Sequence, residues 1–224
     1  MRPRDPSKLG DPERGLKAVL FDFGGVLTTS PFEAFTNYER ANGLPEGFIR
    51  SLNAAEPHDN AWARLERSEI TLAQFVVAFE QEAAAAGQRI DGAAVLGLLA
   101  GEIRPAMARA VRLCRERYLV GLLTNNYLSE QAAHDPGGSI ESVLELFDEV
   151  VESSRVGVRK PEPAFFEIAC DRLGIEPAEA VFLDDLGVNL KPARAMGMRT
   201  VKVSGEKEAL AELSRLVGLE LSAC

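Results

Sequence analysis

The sequence is poor in the residues that build several common kinds of site. Of its 224 residues only three are cysteines: Cys114, Cys170 and Cys224, far apart and odd in number. They read as reduced thiols of a cytoplasmic protein, with Cys114 and Cys170 packed in a core, and not as a disulfide framework or a zinc cluster. Two histidines, His58 and His134, are too few for a histidine-rich metal centre. A bound metal is therefore expected to be hard and held by oxygen. No apolar run approaches the ~18 residues that span a bilayer, so no membrane protein is expected. Nor is there a basic cluster: 25 Lys and Arg stand against 34 Asp and Glu, a net charge of −9. A nucleic-acid partner would call for a positive stripe to neutralise phosphates, and none is expected.

What is present is the composition of a globular chain with a core, 46% hydrophobic and 26% charged. Residues 1–15 are charged and proline-rich, unlike a signal peptide, and read as a flexible lead-in. Apolar, β-branched or Leu-rich runs predict buried strands at Lys17–Asp22, Tyr118–Thr124, Ala180–Asp184 and Arg199–Val203, with a weaker one at Glu149–Glu152. Helical stretches separate them. One opens at Pro105 with Ala106, Ala110, Leu113 and Cys114 on one face; others cover 162–173, stopping at Gly174, and 206–217, with Leu210, Leu213 and Leu216 at helical spacing. Alternating strands and helices predict an α/β fold, a doubly wound parallel sheet whose ligands bind at the carboxyl ends of the strands. Residues 29–103 break the rhythm. They hold helical patterns, with Thr71 and Gln74 spaced as a capping box, and predict an inserted all-helical cap. The core domain is then 16–28 and 104–224. Trp62, Phe75 and Phe79 fit either the core of that cap or its inner face.

Polar residues punctuate the strand ends. The first strand stops at Asp22, where a carboxylate needs a cation or hydrogen bonds to compensate it, and Gly24 and Gly25 then allow a sharp turn. The next ends in Thr124-Asn125-Asn126, donors suited to phosphoryl oxygens and equally suited to capping a helix. Another ends in Asp184-Asp185, adjacent carboxylates whose repulsion a divalent cation relieves. Lys160 precedes Pro161, which fixes the local backbone. Singly, each pattern fits an ordinary turn or surface residue. Together they supply a nucleophile, donors, a cation and a metal site for phosphoryl transfer through an aspartyl-phosphate.

In this order the motifs resemble those of the haloacid dehalogenase-like hydrolases with a helical cap after the first motif. The stretches LLTNNYL (122–128), KPEPAF (160–165) and FLDDLGVNLKPARA (182–195) are most similar to the phosphatase-like N-terminal domain of soluble epoxide hydrolases and its bacterial relatives. The resemblance covers about residues 16 to 203. It implies a Rossmann-like core, Mg2+ and a small phosphorylated metabolite as substrate. It further implies Asp22 as nucleophile and metal ligand, and Thr124, Asn125 and Lys160 as phosphate-binding groups. Asp185 would be a direct metal ligand, Asp184 would hold a metal-bound water, and the main-chain carbonyl of Gly24 would complete the protein's share of the shell.

One position departs from the pattern. Phosphatases of this family carry a second aspartate, the general acid, where this chain has Gly24. Such groups contribute typically ~10²–10⁴-fold. The chain then works on esters whose leaving groups need little protonation, or borrows a donor from the cap, where His58, Glu66 and Glu69 are candidates. Two other readings stay open: a phosphate- and metal-binding module without turnover, and a dehalogenase. Dehalogenases of the family also lack the acid, but they generally lack the Asp184-Asp185 pair too. A mutase is least favoured, since its relay between hydroxyls depends on that acid.

Overall fold

The computed structural model describes residues 9–99, 101–125 and 139–221. Asn126, His134, Cys224 and the first eight residues of the expected lead-in lie outside them. Five strands form one parallel sheet: β1 (Ala18–Phe21), β2 (Leu119–Thr124), β3 (Glu149–Glu152), β4 (Ala180–Asp184) and β5 (Arg199–Lys202), in the order β3-β2-β1-β4-β5. β1 is central, and every residue of β1, β2 and β4 is buried. Burial on both faces is why these strands read as unbroken apolar runs.

Side chains alternate between two cores, as the pleat requires. Val19, Phe21, Val120, Leu122, Val181 and Leu183 pack on one face. They meet Met107 and Val111 of α6 (Pro105–Arg115) and Leu210 and Leu213 of α11 (Glu206–Val217). Ala18, Leu20, Leu123 and Phe182 point the other way. There they meet Phe165, Phe166 and Ala169 of α9 (Pro163–Leu173) and Leu190 and Ala193 of α10 (Gly187–Ala195). The α6 face differs slightly from expectation: Met107, Ala110, Val111 and Cys114 are buried, whereas Ala106 and Leu113 are only partly so. Gly174 ends α9 in the left-handed region, φ 66°. Two shorter helices, α7 (Ser139–Leu144) and α8 (Ser153–Val156), flank β3.

Five helices lie between β1 and α6: α1 (Pro31–Ala41), α2 (Phe48–Ala55), α3 (Ala61–Glu66), α4 (Leu72–Ala85) and α5 (Gly92–Gly97). They share a core of their own around Phe35, Ile49, Trp62, Phe75 and Phe79. The rings of Phe75 and Phe79 stack at 5.2 Å, and Trp62 meets Phe75 edge-on at 4.7 Å. These three aromatics hold the cap together. Thr71 and Gln74 form the expected capping box at the start of α4. The two chain segments entering and leaving the cap run side by side, joined by Thr29 N–H to the Glu102 carbonyl (2.9 Å) and Arg104 N–H to that of Leu27 (2.8 Å).

The lead-in needs correction over residues 9–15. Gly10 N–H donates to the Arg117 carbonyl at 2.7 Å, and Asp11 is buried, accepting from Arg117 Nη2 at 2.9 Å. Two basic partners, Arg117 and Arg14, make burial of that carboxylate tolerable. This stretch is tied to the core.

Candidate active site

The parallel register brings the polar strand ends to one edge. Phe21 pairs with Leu122 on one side and Leu183 on the other. The residue just after β1, Asp22, therefore stands beside Asp184, near Thr124 at the end of β2. Asp22 N–H continues the ladder to the Leu183 carbonyl at 2.9 Å. The chain then makes one wide turn, Phe23–Leu27, closed by Thr28 N–H to the Phe23 carbonyl at 3.1 Å. Gly25 adopts φ 75°, and a Cβ there would stand 2.6 Å from Asp185 Cγ. Only glycine lets the turn pass that carboxylate.

Lys160 is the hub. It is 1% exposed, and its Nζ lies 2.8 Å from Asp22 Oδ1 and 2.8 Å from Asp184 Oδ2. The Phe182 ring lies 5.4 Å beneath the ammonium, within cation–π range. Its main chain is clamped by Asn125: Lys160 N–H donates to Asn125 Oδ1 and Asn125 Nδ2 donates to the Lys160 carbonyl, both at 2.8 Å. Asn125, expected at the phosphate, thus turns its side chain to Lys160. Thr124 is buried at the same strand end.

Asp184 is fully buried and saturated. Its Oδ1 accepts from Leu186 N–H at 2.7 Å and Asn189 Nδ2 at 3.1 Å, and its Oδ2 from Lys160 and from the same Asn189 nitrogen at 3.0 Å. Asp22 Oδ1 accepts from Phe23 N–H at 2.7 Å as well as from Lys160. Oxygens of Asp22, Asp184 and Asp185 lie within 4.8 Å of one another. One lysine does not balance three carboxylates. Burial pushes the Asp22 carboxyl up to about 8; Lys160 opposes this, and the Asp184 and Asp185 charges add to it. Asp185 is pushed to about 6, first by burial and then by Asp184. Burial also works against the Lys160 ammonium, but the Asp184 and Asp22 carboxylates prevail and hold its proton more tightly than usual. An all-oxygen set short of positive charge fits a hard divalent cation.

Of the three candidate donors in the cap, His58 is exposed and Glu69 pairs with Arg67 at 2.6 Å. Only Glu66 is half-buried at the cap–core boundary, against Arg159, the neighbour of Lys160. Asn189, Arg159 and the clamping role of Asn125 were missed. Asn189 had a local signal, an amide one helical turn beyond Asp184-Asp185; the pairing of Arg159 with Glu66, far apart in the chain, had none. Cys114 and Cys170 are buried thiols, pushed up to about 12 and about 11 by burial, and pack as expected.

Among known proteins, the mouse acyl-CoA dehydrogenase family member 10 is 36% identical over 93% of this chain, which spans 20% of that protein. The bifunctional epoxide hydrolase 2 of Sus scrofa is 33% identical over 92% of the chain, which spans 40% of it. The chain thus covers less than half of either relative. A phosphatase of Mycobacterium tuberculosis is 28% identical, with 84% of this chain and 87% of that protein aligned. In solved structures the fold recurs in a HAD-family enzyme of Bacteroides thetaiotaomicron, in complex with magnesium and inorganic phosphate. It has 23% identity and a TM-score of 0.58, over 84% of this chain and 93% of that one. Among the described residues no helix is long and apolar enough to cross a membrane. A family model for haloacid dehalogenase-like hydrolases matches residues 16–197, and with the acidic strand ends and the lysine in their expected order, this chain belongs to that family.

Proposed function

We propose that the chain is a magnesium-dependent phosphatase of a small phosphorylated metabolite, acting through an aspartyl-phosphate on Asp22. The observation that carries this reading is the clustering of Asp22, Asp184 and Asp185 around one buried lysine that pairs with only the first two, which leaves negative charge for a cation to balance. Asp22, Asp185 and the Gly24 carbonyl would hold magnesium, with Asp184, fixed by Asn189 and Leu186, behind them. A bound ion would supply charge neutralisation to the carboxylates and to the phosphoryl oxygens.

The protein's own groups do the rest. Phe23 N–H and Lys160 Nζ fix Oδ1 of Asp22 and so the plane of the carboxylate. That carboxylate attacks phosphorus and the P–O ester bond breaks, its electron pair leaving on the alcohol oxygen. Water then attacks the phosphorus of the aspartyl-phosphate, releasing inorganic phosphate and restoring the carboxylate. Thr124 and Lys160 bind the phosphoryl oxygens. Gly24 offers no proton to the departing oxygen, so aryl and acyl phosphates, whose leaving groups are weak bases, are the favoured class. The cap covers the site and selects the substrate. A dehalogenase would have no use for the surplus of carboxylates.

The test is turnover of p-nitrophenyl phosphate. Wild type should need magnesium and be silenced by EDTA, and Asp22→Asn should lose more than about 10³-fold in kcat. Turnover that survives Asp22→Asn, or halide release from a haloacid in EDTA, would refute the reading.

A further inference from the structure

Lys160 lies one peptide away from a shielded ion pair between cap and core. Arg159 Nε donates to Glu66 Oε2 at 2.5 Å, and Arg159 Nη1 donates to the Pro57 carbonyl at 2.8 Å. Both acceptors belong to the cap: Glu66 ends α3, and Pro57 lies in the turn before it. The two side chains are only 17% and 16% exposed, so solvent screens the pair little. On the core side, Asn125 grips both the N–H and the carbonyl of the very next residue, and the Lys160 side chain spans Asp22 and Asp184. A continuous path therefore runs from a cap carboxylate through Arg159 and one peptide unit to the lysine on the nucleophile.

We propose that Glu66 and Arg159 are positioning residues: with the cap seated, their pair anchors the main chain at Lys160 so that its ammonium stays on Asp22. Seating of the cap and readiness of the nucleophile become one event. The inference rests on the hydrolase reading above and deepens it. It also takes Glu66 out of the role of proton donor, because its carboxylate is committed to a guanidinium. Burial pushes the Glu66 carboxyl above the usual carboxylate range, and Arg159, Lys160 and Arg67 offset this only in part, so its pairing role rests on the hydrogen bond from Arg159.

Steady-state kinetics on aryl and alkyl phosphates separate the possibilities. Glu66→Ala and Arg159→Ala should each lower kcat about tenfold, by the same factor for both ester types, with KM changing less. The double variant should be no worse than either single one, since each residue acts through the other. Glu66→Gln, which keeps an acceptor for Arg159, should retain most of the activity on every ester. Collapse of Glu66→Gln on alkyl phosphates alone would make Glu66 the proton donor and overturn the proposal. Additive losses, or a change in KM at constant kcat, would overturn it too.

Amide hydrogen exchange at Lys160 needs no turnover and keeps the two readings apart. Its N–H, held by Asn125, should exchange severalfold faster in Glu66→Ala and Arg159→Ala than in wild type. It should be unchanged in Ser68→Ala, which removes a different cap–core hydrogen bond, to the Ser154 carbonyl at 2.8 Å. Unchanged exchange in all three variants refutes the coupling whatever the activity. Altered exchange in a chain that hydrolyses no ester refutes the hydrolase reading and leaves the coupling standing.

Discussion

Restoring a carboxyl group at position 24 tests the account of the site most severely. Gly24 has φ −68° and ψ 127°, an extended conformation open to any L-residue, and a Cβ there would meet nothing within 4 Å. Gly24→Asp therefore introduces no backbone strain. Loss of glycine's freedom in the unfolded chain favours the variant by about 0.4–1 kcal/mol. Against this stands a further carboxylate beside Asp22 and Asp185, whose own carboxyls already sit at about 8 and about 6. Without magnesium the variant should thus be no more stable than wild type, and with magnesium slightly more so. A positioned general acid lowers a barrier by about 3–5 kcal/mol, the equivalent of ~10²–10⁴-fold. That gain applies only where the leaving group needs a proton. In magnesium, kcat on an alkyl phosphate should rise at least about 10²-fold, while p-nitrophenyl phosphate should change far less. Gly25→Asp is the internal control: its φ of 75° and the closeness of Asp185 leave no room, and it should lose both activity and stability. Equal gains on both esters, or no gain on the alkyl phosphate, would refute the role assigned to the missing acid.

Two further outcomes follow from the charge balance. A carboxyl raised in the folded state stabilises the fold below its unfolded value and loses that contribution as pH rises through the folded one. In EDTA, Asp185 and Asp22 should accordingly lower Tm as pH climbs from about 4 through about 6 to about 8, and millimolar magnesium should flatten the decline. A Tm indifferent to both pH and magnesium, read by differential scanning fluorimetry, would contradict the electrostatics. Lys160→Met strands Asp22 and Asp184 without a cation and should cost about 3–5 kcal/mol in EDTA by urea denaturation. Adding Asp22→Asn should recover part of that loss, and a neutral single variant would mean that the buried cluster is already compensated.

The strands were legible because a parallel sheet covered on both faces needs apolar runs, and the residue that ends each run is then conspicuous: Asp22, Thr124, Asp184. Helix ends were legible where a local rule operates, as at Thr71 with Gln74 and at Gly174. What the residues do to one another was harder to read. Asn125 has donors and an acceptor that suit either a phosphate or a main chain, and only the fold brings Lys160 alongside to claim them. Glu66 lies in the cap and Arg159 in the core, so their pairing depends on how cap and core meet. Residues 9–15 looked unstructured because charge and proline dominate them, yet Asp11 finds two arginines.

The paired segments at the cap boundary carry a consequence for how such molecules diversify. Because Thr29 and Glu102 are hydrogen-bonded neighbours, the insertion is a closed excursion whose two ends meet. Among the described residues no strand lies within it, so the sheet order does not depend on what it contains. A different helical module, or a short turn, can be spliced between those ends while Asp22 keeps its place at the end of β1. On the function proposed above, substrate choice would then be redrawn by recombination at one junction, provided the incoming module brings a partner for Arg159.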